Sequence, residues 1–173
     1  MKKALRWLVG AILIAVSAHL ATVWAAPYAI MWQAGNGMRN AGIGDNRILH
    51  APPVTAASRS VVRPSPDLAY SICRYNLANG PVRLKAPKPD VYFSMSAYAN
   101  NTDNFFVLND RDMGTNGADV VLATVSQADR FPGSVVAPSA TGVVLFRRVV
   151  PDGPAWSVIR GERAGMTCDP ITE

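Results

Sequence analysis

Two hydrophobicity patterns divide the chain. From Trp7 to Trp32 there are 26 residues without Asp, Glu, Lys or Arg, interrupted only by small or mildly polar positions such as Gly10, Ser17, His19, Thr22 and Pro27. As a helix this run would be roughly 39 Å long, enough to cross a hydrocarbon core of about 30 Å with some tilt. Trp7 stands at one end and Trp24, Tyr28 and Trp32 near the other, where interfacial aromatics are expected. Lys2, Lys3 and Arg6 lie at its start, and no acid comes before Asp45. Positive charge stays on the cytoplasmic side, so the pattern predicts one transmembrane helix within residues 1–33 and export of everything after it. The alternative is a secretory signal with Trp7–Ala18 as its apolar region and Val23-Trp24-Ala25 as a cleavage site, which would leave a soluble exported protein. Continuation of the run to Trp32, and the awkward Trp24 and Pro27 beside the cut, favour the retained anchor.

Residues 34–66 read as a linker. QAGNGMRNAGIGDN is rich in glycine and asparagine, and HAPPVTAASRS and RPSP follow, so neither a long helix nor a central strand is expected. From residue 67 to 173 short apolar runs alternate with turns. Leu68–Leu77, Val82–Ala86, Val91–Tyr98, Phe105–Leu108, Val120–Val125, Gly142–Val150 and Trp156–Arg160 make seven candidate strands. Asn79-Gly80-Pro81 and Pro87–Asp90 punctuate the first of them. The pattern predicts an all-β antiparallel sandwich, because no helical period appears between the runs.

Charge changes the picture little. The formal net charge is +5, with 17 basic and 12 acidic residues. Three of the basic residues precede the apolar run, and the remaining 14 nearly balance the acids. No basic run with interleaved aromatics appears, so nucleic acid is not an expected partner. The two cysteines, Cys73 and Cys168, both fall on the side expected to be exported, where a disulfide is permitted; two buried thiols or a reactive thiol are the alternatives. Such a bond would pin the C-terminal tail to an early strand.

Candidate chemistry is sparse. The stretch YANNTDNFFVLNDRD, Tyr98–Asp112, sets aromatics between knots of Asn and Asp. Asp110, Asp112, Asn116 and Asp119 are oxygen ligands of the kind calcium takes, but glycine and the final acid miss their places in a calcium loop. Turn, strand, turn is the simpler reading. Histidine occurs only at 19 and 50, too few for a zinc site, and a Ser-His-Asp triad would need His50 from the linker. No nucleophile elbow or phosphate-binding glycine loop is found, and the sequence calls for no cofactor and no metal. Adjacent strand residues face opposite ways, so one of Arg147 and Arg148 points inward unless the strand is an edge. An inward arginine needs a carboxylate, for which Asp67 or Asp103 are candidates.

The segments SPDLAYSICRYNLANGPVRLKAP and VYFSMSAYANNTDNFFVLNDR, with Pro138, Gly142 and Arg147 after them, resemble a bacterial family catalogued as domain of unknown function 1254. The resemblance covers about residues 65–150, and the chain is similar to a small membrane-anchored branch that lacks a second β-domain. Where the family pattern has Thr after the Asp, this chain has Leu68, so that hydroxyl does not carry over. The resemblance implies an immunoglobulin-like β-sandwich and brings no established activity. It places the expected topology in the bacterial inner membrane, with the N-terminus cytoplasmic and the domain periplasmic. A non-enzymatic module that binds another envelope protein is the first functional expectation. An envelope hydrolase or ligand-binding enzyme, with Asp67, Tyr70, Asn104 and Arg111 meeting in one pocket, is the second. A calcium-stabilised envelope protein is the third.

Overall fold

A computed structural model of the chain describes residues 2–59, 63–151 and 156–171. Residue 1 of the expected anchor, 60–62 of the expected linker, and 152–155 and 172–173 of the expected β-domain lie outside the described residues. The elements in chain order are α1 (Lys2–Asn40), β1 (Ile48–His50), β2 (Leu68–Asn76), β3 (Val82–Ala86), β4 (Phe93–Ala99), β5 (Asn104–Asn109), β6 (Ala118–Ala123), α2 (Val125–Ala128), β7 (Val135–Val136), β8 (Thr141–Val149), α3 (Trp156–Ala164) and β9 (Thr167–Pro170).

The apolar run lies within one helix of 39 residues, about 58 Å at 1.5 Å per residue. Its large apolar side chains are exposed, Trp7 by 81% and Trp24 by 72%, so no protein surface satisfies them. Pro27 lies inside it, where it removes one backbone bond and presses on the preceding turn. The helix continues to Asn40, through Gly35 and Gly37 of the segment read as linker, and ends where Gly42 adopts φ +81°.

The strands form two sheets. One has the order β1-β2-β8-β4-β5 and is antiparallel throughout. The other has the order β7-β6-β3-β9, with β6 and β7 parallel. Their buried residues merge into one apolar cluster, with Tyr75, Phe93, Met95 and Phe146 from the first sheet and Val82, Leu84 and Leu122 from the second. Alternation decides which side chains enter it. Along β2 the odd positions Ala69, Ser71, Cys73 and Tyr75 are buried, and the even ones face outward, only partly covered. Along β8 the buried set is Gly142, Val144, Phe146 and Arg148. Period-2 patterning therefore accounts for both strands and for their nine-residue register.

Several elements depart from the sequence expectation. Trp156–Ala164, of which residues 156–160 read as a strand, is helical: its buried side chains are Ile159 and Arg163, a spacing of four that belongs to a helix face. The final strand is instead β9, which carries Cys168. A three-residue strand also forms at Ile48–His50, in the segment read as linker. Asn46 explains it. Its backbone sits at φ 55°, which asparagine tolerates, and its amide mimics a strand partner. Asn46 Nδ2 donates to the Asn76 carbonyl at 2.8 Å, and Asn76 N–H donates to Asn46 Oδ1 at 2.7 Å.

Cys73 of β2 and Cys168 of β9 are joined in a disulfide, with Cα atoms 6.4 Å apart and 95 residues between them in sequence. It links the two sheets. By chain entropy alone, closing so long a loop is worth roughly 4 to 5 kcal/mol.

Gly142 lies opposite Tyr75 in the β2–β8 ladder, and the Tyr75 ring occupies the space a side chain would take. A Cβ at Gly142 would come within 2.1 Å of the Tyr98 carbonyl oxygen and 2.4 Å of the Tyr75 hydroxyl. Tyr75 is fully buried and donates to that same carbonyl at 3.3 Å. Gly142→Ala is expected to lower stability by about 1–3 kcal/mol through overpacking, read as a lowered melting temperature of the detergent-purified chain. An unchanged melting curve would show that the β4 backbone at Tyr98 and the Tyr75 ring both give way at little cost.

Candidate functional site

The densest polar cluster lies at one end of the core, where β1, β2, β8 and α3 meet. Ser71 points inward from β2 and is 2% exposed. His50, from the neighbouring strand β1, places Nδ1 2.8 Å from the Ser71 hydroxyl. Arg163 reaches in from α3, donating to the Ala51 carbonyl at 2.9 Å and the Tyr70 carbonyl at 3.0 Å, with its guanidinium 5.3 Å from the centre of the Trp156 ring. Arg148, 5% exposed, is the inward member of the arginine pair. Its partner is neither Asp67 nor Asp103 but Glu162 of α3, which accepts from Arg148 Nε and, at 2.8 Å, from Nη2. The carboxylate arrives with a helix that sequence reasoning had taken for a strand. Arg147 faces outward and donates to the Ser96 hydroxyl at 3.0 Å.

A Ser-His contact invites comparison with acyl-transfer enzymes, and the surroundings oppose it. Ser71 is sealed from substrate. Taking its proton would create an imidazolium beside the Arg163 guanidinium, where a triad places a carboxylate. Burial first, and then the Arg163 charge, hold His50 below the ordinary imidazole value, against a smaller opposing effect from a backbone hydrogen bond at Arg163. Arg163 is itself lowered by burial and by nearby Arg148. The arrangement clamps α3 to the ends of β1 and β2.

Among the described residues, two clefts are among those that open on the surface. One, of about 580 Å³, runs between the start of β1 and β9 and is lined by Asp45, Asn46, Arg47, Asn79 and Asp169 above Met166 and Cys168. It lies between the outermost strands of the two sheets, β1 and β9. The other, of about 300 Å³, lies between α1 and the outer face of the five-stranded sheet, with Trp32, Gly35, Arg39 and Arg74 in its walls.

The four residues proposed as a pocket line neither cleft. Asp67 is exposed in the turn before β2, and its carbonyl accepts from Val150 N–H at 2.8 Å. Tyr70 lies on the outer face of β2, opposite Arg147, and its hydroxyl accepts from Ser65 N–H at 2.9 Å. Arg111 follows β5 at the same end of the sheet, but β8 and β4 stand between β2 and β5, about 14 Å across three strand spacings. Asn104 opens β5 opposite Tyr98, at the far end. Among the acidic residues considered for calcium, Asp110 and Asp112 accept backbone N–H groups of Phe93 and Asn109. Asp119 crosses to Arg83 on β3 in two bonds of 2.7 Å, and that hydrogen bonding holds its carboxyl below the usual range. The stretch around Phe105 is turn, strand, turn.

Glu162 and Arg163 escaped sequence reasoning, and the spacing of Ile159 and Arg163 was the available signal for them. His50 stands out in the sequence only as a possible triad base, and nothing local points to its contact with Ser71.

The family model described as a protein of unknown function (DUF1254) matches residues 46–170, more than half of the chain. The chain belongs to this family. The match begins before the Ser65 start of the resembling segments and takes in β1 and β9. No curated protein matches the chain. Among solved structures it is similar to the VPA0106 protein from Vibrio parahaemolyticus, at 14% identity with a TM-score of 0.62. That alignment covers 84% of this chain and 36% of the Vibrio protein, so this chain spans about a third of that relative. A putative uncharacterized protein from Burkholderia cenocepacia aligns at 14% identity over 89% of this chain and 42% of that one, with a TM-score of 0.49. The first likeness shows a shared β-rich fold. DUF1254 itself brings no activity.

The His50 environment sets a pH dependence. The unfolded chain takes up a proton near pH 6.5, whereas folded His50 resists protonation until a lower pH. More protons are then bound by the unfolded state, so this group makes no difference above about pH 6.5 and costs stability as pH falls below it. Denaturation midpoints are expected to drop between pH 7.5 and 5, and His50→Gln to flatten that slope. Separately, Glu162→Gln leaves the Arg148 charge buried without its partner and should cost about 3 kcal/mol at pH 7. Wild-type stability of Glu162→Gln in urea melts would show the pair to be idle.

Proposed function

We propose that this chain is a single-pass inner-membrane protein that presents an immunoglobulin-like β-sandwich in the periplasm and works by binding another envelope protein, without catalysis of its own. The observation that carries the reading is the course of α1. It runs unbroken past the Ala25–Ala26 region, where a leader peptidase would cut, and its Gly35 is buried beside Arg74 of β2. Its exposed apolar surface is what lipid would cover, and a proline near the end of such a helix is tolerated there. The two sheets, joined by one core and one disulfide, suit an oxidising compartment. The cleft between β1 and β9 offers two outer strands, where an extended segment of a partner would add main-chain hydrogen bonds to a sheet edge.

Two measurements test this. Alkaline phosphatase fused after residue 173 should be active, and a cytosolic reporter at the same place silent; the reverse pattern ends the topological reading. A photo-crosslinking residue at Asp169, in the cleft, should capture one reproducible envelope protein, while the same residue at Lys85 captures none. Equal or no capture at both positions would remove the interaction reading.

A further inference from the structure

Along α1, Tyr28, Met31, Trp32, Gly35 and Arg39 recur at steps of three or four and so share one stripe. The stripe changes chemistry along its length. It is aromatic and thioether near the apolar run, bare at Gly35, and cationic at Arg39. Opposite it stand Arg74, from the outer face of β2, and Val143 of β8. Gly35 opens the space between them: it is buried, yet the atoms nearest a Cβ there are those of Arg74, at 3.8 and 3.9 Å.

The charges of this groove are unbalanced. The Arg74 side chain is 11% exposed and pairs through Nη2 with Asp45, but its Nε is buried without a hydrogen-bond partner. Arg39 is near enough to push the Arg74 guanidinium below its ordinary value, after the larger effect of burial. Arg39 has no carboxylate partner among the described residues. Of the two guanidiniums, only Arg74 has a carboxylate partner among the described residues. The negative end of α1 does little to fill the deficit, because the carbonyls of Gly37, Met38 and Arg39 already accept N–H groups of Ala41, Ile43 and Gly42.

Depth agrees with charge. Trp32 closes the apolar run, and Arg39 lies seven residues on, about 10 Å along the axis. Helical side chains lean toward the N-terminus, which brings the Arg39 guanidinium back toward the level of Gly35. Interfacial aromatics mark the headgroup boundary, so the arginines sit where lipid phosphates lie.

We infer that the groove between α1 and the five-stranded sheet binds a glycerophospholipid of the outer leaflet, with its phosphate between Arg39 and Arg74 and one acyl chain along Tyr28, Met31 and Trp32. The inference rests on the reading of α1 as a retained membrane span. Its chemistry is that of charge-assisted guanidinium recognition of a phosphate, with an apolar trough that a free anion would leave unfilled.

Native mass spectrometry of the full chain, purified in mild detergent and titrated with phosphatidylglycerol, tests it. The wild type should retain one lipid. Arg39→Gln should weaken retention roughly tenfold, the effect of losing one charge-assisted contact. Gly35→Leu, which fills the groove and leaves both charges, should weaken it comparably, whereas Lys85→Gln, the same charge change on the other sheet, should not. Circular dichroism checks that each variant is folded. Equal retention by all four proteins would overturn the inference, as would displacement of the lipid by a tenfold excess of inorganic phosphate. Extraction of membranes at alkaline pH separates the two readings. A chain released by carbonate sinks the anchor itself. A chain that stays in the membrane but shows no dependence on Arg39 or Gly35 sinks only the lipid site.

Discussion

The alternation of side chains along β2 is the constraint on which the rest of this molecule depends. Odd positions from Ala69 to Tyr75 enter the core and even positions from Tyr70 to Asn76 leave it. A shift of one residue would exchange the two sets. Each set has its own obligations. Inward, Ser71 meets His50, Cys73 bonds to Cys168, and Tyr75 needs the empty face of Gly142. Outward, Arg74 lies under α1 and Asn76 receives the Asn46 amide. Register is therefore specified from both faces and by covalent, polar and steric terms together.

The inward set also explains why a short C-terminal helix forms where the local sequence argues weakly for it. α3 has nine residues and a glycine at 161, which costs about 1 kcal/mol relative to alanine. Isolated helices of that length are marginal in water. What holds α3 is its contacts: Ile159 in the core, Glu162 on Arg148, and Arg163 on the carbonyls of Ala51 and Tyr70. The helix turns the chain from the end of one sheet to the edge of the other, where Cys168 returns to Cys73. The ion pair and the disulfide thus fix the two ends of one connection.

This division tells which features were legible in the sequence. β2, β3, β4, β5, β6 and β8 carry period-2 or β-branched patterning and were read close to their bounds. The disulfide followed from two cysteines that both lie after the apolar run, on the side expected to be exported. α3, β1 and β9 are defined by partners distant in sequence, as tertiary context commonly overrides local propensity. Trp156–Arg160 holds a Val-Ile pair that suits a strand, and only the step from Ile159 to Arg163 speaks for a helix. The inward position of one arginine followed from parity, but its carboxylate was sought among turns because the helix that supplies it had not been seen. The four candidate pocket residues were joined by family pattern rather than by geometry. Tyr70 and Asn104 sit at opposite ends of one sheet, a separation that the order of motifs along a chain does not reveal.

The outward set bears on how the domain meets its anchor. Residues 34–66, in which glycine, asparagine and proline are frequent, read as a linker, yet the first of them are used otherwise: helix to Asn40, a turn at Gly42, then Asn46 bound to Asn76. Few residues separate the apolar run from the first strand. With Gly35 against Arg74, the outer face of the five-stranded sheet is held beside the last turns of α1. Gly35 and Arg74 are then one junction, because the absence of a side chain on the helix is what admits the guanidinium on the sheet. The cleft between β1 and β9 opens at the side of the two sheets, on a different surface from the groove beneath α1.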